Sequence, residues 1–177
     1  VRSAVSESLF ETKRLVCRRW EPQDFEPLYA VYSDPAAMRW VGDGRPITRA
    51  QCEEWFHVTE ANYTTRGYGM FALVERTSGQ VVGFCGLVHP GGQPEPEIKY
   101  AIVQSRWGDG LASEAIPALL AYGGSEHGMR RIIATVASQN VASQRVLAKA
   151  GMVLRDRWKN EDGSITHVYE WLAPGAA

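Results

Sequence analysis

The sequence predicts a mixed α/β fold, one sheet with helices on both faces, from three observations. Short apolar or β-branched runs bounded by Gly, Pro and Asp punctuate the chain. Between them lie stretches in which apolar residues recur at helical spacing. The two kinds of segment follow the order strand, two helices, three strands, helix, strand, helix, two strands, which makes a mixed sheet of about seven strands.

Each element has its own signal. Leu15 to Trp20 is the first strand. Pro22 suits a first helical position, and Phe25, Leu28, Tyr29 and Tyr32 follow on one face before Asp34-Pro35 ends the helix. Thr48 with Gln51 is a capping box that opens a second helix, whose face is Cys52, Trp55, Phe56, Thr59 and Tyr63. Gly69 to Glu75 and Gln80 to His89 are strands joined across Thr77-Ser78-Gly79. A Pro/Gly-rich loop from Pro90 to Pro96 leads into the strand Glu97 to Val103.

A glycine turn and a third helix, Leu111 to Gly123, come next, with Ala112, Ala115, Ile116, Leu119 and Gly123 on one side. Pro117 is expected to bend that helix or remove a hydrogen bond, and Gly123-Gly124 to weaken its far end. Arg131 to Ala137 is a β-branched strand, and Asn140 to Ala150 a helix stopped by Gly151. Val153 to Trp158 and Ile165 to Leu172 form a closing hairpin across Asp162-Gly163.

At 177 residues, 45% of them hydrophobic, the chain is expected to hold one domain (11–173) with a flexible start (1–10) and a loose tail (174–177). Nineteen Lys plus Arg stand against 20 Asp plus Glu, so no bulk basic field exists and direct nucleic-acid binding is not expected. No run approaches the roughly 20 apolar residues of a membrane span, and Val1 to Leu9 lacks the apolar core of a secretion signal. Cys17, Cys52 and Cys85 are odd in number and widely spaced, which fits free thiols in a reduced cytoplasm. No Cys/His spacing suggests a metal site. The chain is expected as a monomer or a homodimer, in which edge strands of the closing hairpin can pair.

The most informative stretch is Trp107-Gly108-Asp109-Gly110-Leu111-Ala112-Ser113-Glu114-Ala115. Two glycines between a strand and a helix let main chain approach a ligand, and the first helical turn offers unpaired N–H groups with a partial positive charge. This run resembles the acetyl-CoA loop of the GNAT superfamily of N-acetyltransferases. Asn140-Val141-Ala142-Ser143 resembles the Asn-x-x-Ser helix of its RimJ/RimL-type branch. Thr12 to Leu15, Ser33-Asp34-Pro35, Gly83 to Leu87 and Glu97 to Tyr100 are similar to that branch too.

The resemblance implies a GNAT-type, mostly antiparallel twisted sheet whose fourth and fifth strands splay apart, with the cofactor's pantetheine arm in the gap. It implies acetyl-CoA as cosubstrate and a primary amine as acceptor, either a peptide or protein N-terminus or a small amine. Main-chain groups from Trp107, Gly108, Gly110, Leu111 and Ala112 would cradle the diphosphate. Trp107 stands where the superfamily usually has Gln or Arg, so side-chain help is reduced. Arg106 is left between reaching a phosphate and lying exposed. Ile102 and Val103 would pair with the arm like an added strand, and Asn140 would bind it, cap its helix, or both.

Amide formation needs a neutral amine, a positioned thioester and a proton for the departing thiolate. A lysine amine of pKa ~10.4 costs about 4.6 kcal/mol to hold neutral at pH 7, an α-amine of pKa ~8 about 1.4 kcal/mol. Glu97 is the candidate base or amine-binding group, and His89 its rival. Ser143 is the candidate for steadying the leaving thiolate, or is bonded to backbone. The tyrosine that many GNAT enzymes carry seven residues past the asparagine is replaced by Leu147. Glu114 reads as a helix-dipole partner bonded to a neighbouring strand, and Tyr100 as core or pocket lining. Trp40, Trp55, Tyr63, His89 and Trp158 are candidate acceptor contacts. A non-catalytic acyl-CoA-binding module is the alternative, against which Glu97, Asn140 and Ser143 together weigh.

Overall fold

The computed structural model describes residues 7–176. Its elements are β1 (Ser8–Glu11), β2 (Leu15–Arg19), α1 (Phe25–Tyr32), α2 (Pro35–Met38), α3 (Arg49–Arg66), β3 (Met70–Glu75), β4 (Val81–Val88), β5 (Glu97–Ile102), α4 (Leu111–His127), β6 (Arg131–Ala137), α5 (Val141–Lys149), β7 (Val153–Lys159) and β8 (Ile165–Leu172). They form an eight-stranded sheet in the order β1-β2-β3-β4-β5-β6-β8-β7. All neighbours are antiparallel except β5 and β6.

Three expectations are corrected. The sheet gains a strand, β1, inside the segment expected to be flexible. Leu9 and Phe10 pack on the core, with the Phe10 ring 5.7 Å from that of Tyr122, and four residues with two apolar side chains gave no periodic signal. Residues 1–6 and 177, also expected to be loose, lie outside the described residues. Pro35 does not merely end a helix; it opens the short α2, which Asp34 caps by accepting the Ala36 N–H at 2.9 Å. Finally, α4 runs through Pro117 and the two glycines to His127. Packing overrides propensity there: a Cβ on Gly123 would lie 3.0 Å from both Ile132 Cδ1 and Met129 Sδ, and one on Gly124 2.9 Å from the Trp171 ring.

The two faces of the sheet bury separate cores. Phe71, Leu73, Cys85, Leu87, Ile98 and Ile102 lie beneath α4 and α5, which contribute Leu111, Ile116, Leu119 and Leu147. Met70, Phe84 and Ala101 lie beneath Leu28, Val31 and Cys52 of α1 and α3. Each such fully buried Leu or Phe contributes about 1.5–3 kcal/mol. The Thr48–Gln51 capping box forms as expected, with N–H to side-chain distances of 2.8 and 3.2 Å. All three cysteines are free and buried. Among the described residues no helix is long and apolar enough to cross a membrane.

The feature that positions the site is the junction of β5 and β6. Only Glu97 and Ile133 are in register, with the Ile133 N–H donating to the Pro96 carbonyl at 3.0 Å. Beyond that pair the strands diverge, so the expected splay is present. The remaining length of each strand leaves main-chain groups unpaired on the side of the gap.

Candidate active site

The glycine turn sits at the mouth of this gap. Gly108 and Gly110 have φ of 83° and 77°, a conformation that any other L-residue adopts only under strain. Gly110 is the N-cap of α4 and offers no side chain, so the first N–H groups of the helix stay open to a ligand. The turn is held from outside. Arg14 donates to the Asp109 carbonyl at 2.8 Å and pairs with Glu114 at 2.7 Å. Arg106 reaches Asp109 and Glu75, each at 2.7 Å, so its guanidinium is engaged by carboxylates. Glu114 also accepts from the Thr12 hydroxyl and the Arg14 N–H. Burial alone would raise its carboxyl pKa, but these bonds from Thr12 and Arg14 outweigh it and hold the group below its ordinary value. Its partners thus lie in the turn between β1 and β2 rather than in the neighbouring strand that the sequence suggested.

A cavity of about 580 Å³ opens between β5, β6, the glycine turn and the chain after α2, a size common for ligand sites. It brings together Ile102, Trp107, Gly108, Gly110, Leu111, Ala112, Asn140 and Ser143. Val103 stands apart from them. Its N–H donates to Val82 at 2.9 Å and its carbonyl accepts from Arg106 N–H at 3.0 Å, so no main-chain group remains for an added strand. Strand alternation is the reason: odd residues of β5 turn their main chain to β4, even ones to the gap. The Ile102 carbonyl is itself taken by the Trp107 indole N–H at 2.7 Å. That leaves the N–H of Ile102 and the main chain of Tyr100 facing the opening.

Asn140 takes the N-cap role of its two readings. Its Oδ1 accepts the Ser143 N–H at 3.2 Å and caps α5, while its amide nitrogen, on the cavity wall, has no partner among the described residues. Ser143 Oγ lies 2.7 Å from the Tyr100 hydroxyl, and both residues line the cavity. Burial pushes the Tyr100 hydroxyl pKa up, partly offset by the bond to Ser143. This pairing was absent from the sequence reading, although one signal pointed to it. Tyr100 shares the parity of Ile98 and Ile102, whose core lies on the α5 side.

Glu97 does not open onto the cavity. It is 3% exposed, with Oε1 2.5 Å from Lys99 Nζ, and it accepts from the Thr135 hydroxyl and, at 3.2 Å, from the Gln93 amide. Lys99 and Thr135, which do line the cavity, cover it. His89 lies outside the lining altogether. Its Nδ1–H donates to the Gln93 carbonyl at 2.9 Å, which leaves Nε2 to accept from the Tyr68 hydroxyl at 2.8 Å. Both ring nitrogens are thus occupied. Of the candidate acceptor contacts, Trp40 alone reaches the cavity. Tyr63 is instead a core residue stacked on Phe71, with its hydroxyl bonded to Met70 O and Trp20 N–H. Trp55 and Trp158 are exposed elsewhere. Among the described residues no cluster of His, Cys, Asp and Glu is placed to hold a metal.

The geometry fits coenzyme A: a glycine cradle at a helix N-terminus, unpaired strand edges beside it, and an amide donor opposite. Comparison with known proteins agrees. A family model described as acetyltransferase (GNAT) domain matches residues 14–153. The uncharacterized N-acetyltransferase YoaA of Bacillus subtilis (strain 168) is 31% identical over 173 residues, covering 94% of this chain and 97% of that protein. The fold is shared with RimL, a ribosomal L7/L12 α-N-protein acetyltransferase in complex with coenzyme A (TM-score 0.79, 18% identity, 94% and 98% of the two chains). It is shared as well with a spermidine N-acetyltransferase from Vibrio cholerae in complex with CoA and spermine (TM-score 0.76, 16% identity, 92% and 97%). From the splayed strands, the glycine turn and the matched family model together, the chain belongs to the GNAT family and is an acyltransferase.

Proposed function

We propose that this chain transfers an acetyl group from acetyl-CoA to a primary amine by direct attack within a ternary complex. The observation that carries the reading is that one cavity has an anion cradle at Gly108–Ala112 and a Tyr100–Ser143 hydroxyl pair on its wall. Bound acetyl-CoA supplies an activated acyl carbon, whose bond to sulfur breaks as the bond to nitrogen forms.

The residues of this chain supply the rest. Open N–H groups at the start of α4, with the helix dipole behind them, bind the diphosphate. The Asn140 amide and the edge of β5 at Tyr100 and Ile102 hold the pantetheine arm. Ser143 donates a hydrogen bond to the departing sulfur and is resupplied by Tyr100, an intrinsically better acid than an aliphatic hydroxyl. This takes the place of the tyrosine missing at Leu147. On the amine side the Thr135 hydroxyl accepts the amine proton while passing its own to Glu97. The buried carboxylate thus acts through one intervening group.

A relay of this kind suits a weakly basic amine. An α-amine costs about 1.4 kcal/mol to hold neutral at pH 7, against about 4.6 for a lysine. The peptide or protein N-terminus is therefore the first acceptor class, and a small amine with a lowered pKa the second. The fold does not choose between them, since protein and polyamine acetyltransferases share it. The test is release of the CoA thiol from acetyl-CoA across N-terminal peptides, amino acids, amino sugars and polyamines. Amine-dependent release with mass-confirmed N-acetyl product is expected. Tight CoA binding without release for any amine would favour the non-catalytic acyl-CoA module instead.

A further inference from the structure

The reading above leaves the acceptor's chemistry open, and the charges around the cavity narrow it. Its lining contains Arg39, Lys99 and Arg106 and no carboxylate. Two of these cations are neutralised, Lys99 by Glu97 at 2.5 Å and Arg106 by Glu75 and Asp109. Arg39 has no acidic partner among the described residues. Its guanidinium lies over the Trp40 ring, 4.7 Å from the centroid. Such stacking holds the plane of an arginine while leaving its edge N–H groups free for a planar anion.

Arg39 also lies on the face of the sheet that carries Lys99, the face on which the amine side was proposed above. It follows α2, whose Ala37 and Met38 share a core with Ala101, and Lys99 has the parity of Ala101 along β5. The cofactor-side residues Tyr100 and Ser143 lie on the opposite face, beneath α5. A protonated amine approaching this wall meets an uncompensated positive charge, and a polyamine meets it without any carboxylate to offset it. An amine that carries its own anionic group converts that repulsion into a charge-assisted bond.

We propose that Arg39, steadied by Trp40, determines specificity by reading a carboxylate on the acceptor, so that the preferred acceptor is an anionic primary amine. The proposal rests on the transferase reading and deepens it. The experiment measures kcat/KM with acceptor pairs that differ by one carboxylate for one carboxamide away from the amine. Suitable pairs are Ala-Asp-amide with Ala-Asn-amide, and glutamate with glutamine, alongside spermidine. Peptide and free amino acid arms distinguish the two sources of the same chemistry. The native chain is expected to favour the acidic member of at least one pair about tenfold or more, through KM. Arg39→Gln is expected to erase that preference and Arg39→Lys to keep part of it, with CoA affinity by calorimetry unchanged in both.

Equal rates within both pairs, a preference for spermidine, or a preference that survives Arg39→Gln would overturn the proposal while leaving the transferase reading intact. So would a loss of CoA affinity in Arg39→Gln, which would assign the guanidinium to a cofactor phosphate. Absence of transfer to every amine would remove both readings together.

Discussion

Tyr100 and Ser143 are 43 residues apart in sequence and 2.7 Å apart at their oxygens, and the account of the leaving group rests on them. Ser143→Ala is expected to lower kcat about 10- to 100-fold with CoA affinity unchanged, since the hydroxyl acts on sulfur only as the bond breaks. Steady-state kinetics with calorimetry separate the two effects; full activity in the variant would exclude the role. Tyr100 acts as a donor only while protonated, and burial raises its pKa above the ordinary value near 10. With an α-amine acceptor, kcat/KM is therefore expected to rise through pH ~8 as the amine deprotonates and to hold level past pH ~10. A profile that turns down below the ordinary tyrosine range would contradict a raised Tyr100. Asn140 and Ser143 were legible in sequence because a short motif on one helix turn keeps them together. The Tyr100 partner was not, because its contact crosses from a strand to a helix. Glu97 was legible as a residue beside the gap, but the Lys99 and Thr135 side chains that cover it carry no local pattern.

At the scale of elements, the periodic segments were the readable ones: α3 with its capping box, β3, β4, β6 and the closing hairpin follow their spacing and turns, although Trp55 of the expected α3 face is exposed. What escaped was decided by tertiary contact. β1 is too short to show a period and is fixed by β2 and by packing on Tyr122. The far turn of α4 is weak in intrinsic propensity yet persists, since its glycines let β6 and β4 approach closely. Gly123→Val tests this. Its side chain would meet Ile132, Met129 and Leu87 atoms already 3.0 to 3.1 Å from an added Cβ. The variant is expected to lose about 1–3 kcal/mol and several degrees of Tm in thermal unfolding. An unchanged Tm would mean that the helix end is not packed as described. The glycine turn shows the reverse relation, where backbone conformation rather than space demands glycine. A Cβ on Gly108 would meet nothing within 4 Å, yet its φ of 83° excludes other residues at low cost.

For the whole molecule, the central claim is that strands β5 and β6 part after a single registered pair to make a coenzyme A site. The mixed sheet, the helices on each face and the position of the splay followed from the order of segments and from the family resemblance, whereas the order of strands in the sheet is read from the structure. The occupancy of each polar group in the gap did not, because it depends on which side chains close over which main-chain atoms. A ligand that binds only the folded chain raises its stability by RT ln(1 + [L]/Kd), about 2.7 kcal/mol at a hundredfold excess over Kd. CoA is thus expected to raise Tm with the logarithm of its concentration once that exceeds Kd. The most direct measurement is calorimetric titration of the folded native chain with CoA, repeated on Gly110→Trp. Saturable one-site binding by the native chain, weakened at least about tenfold by a substitution that strains the turn, is the expected result. Folded native protein that takes up no CoA at millimolar concentration would contradict the account.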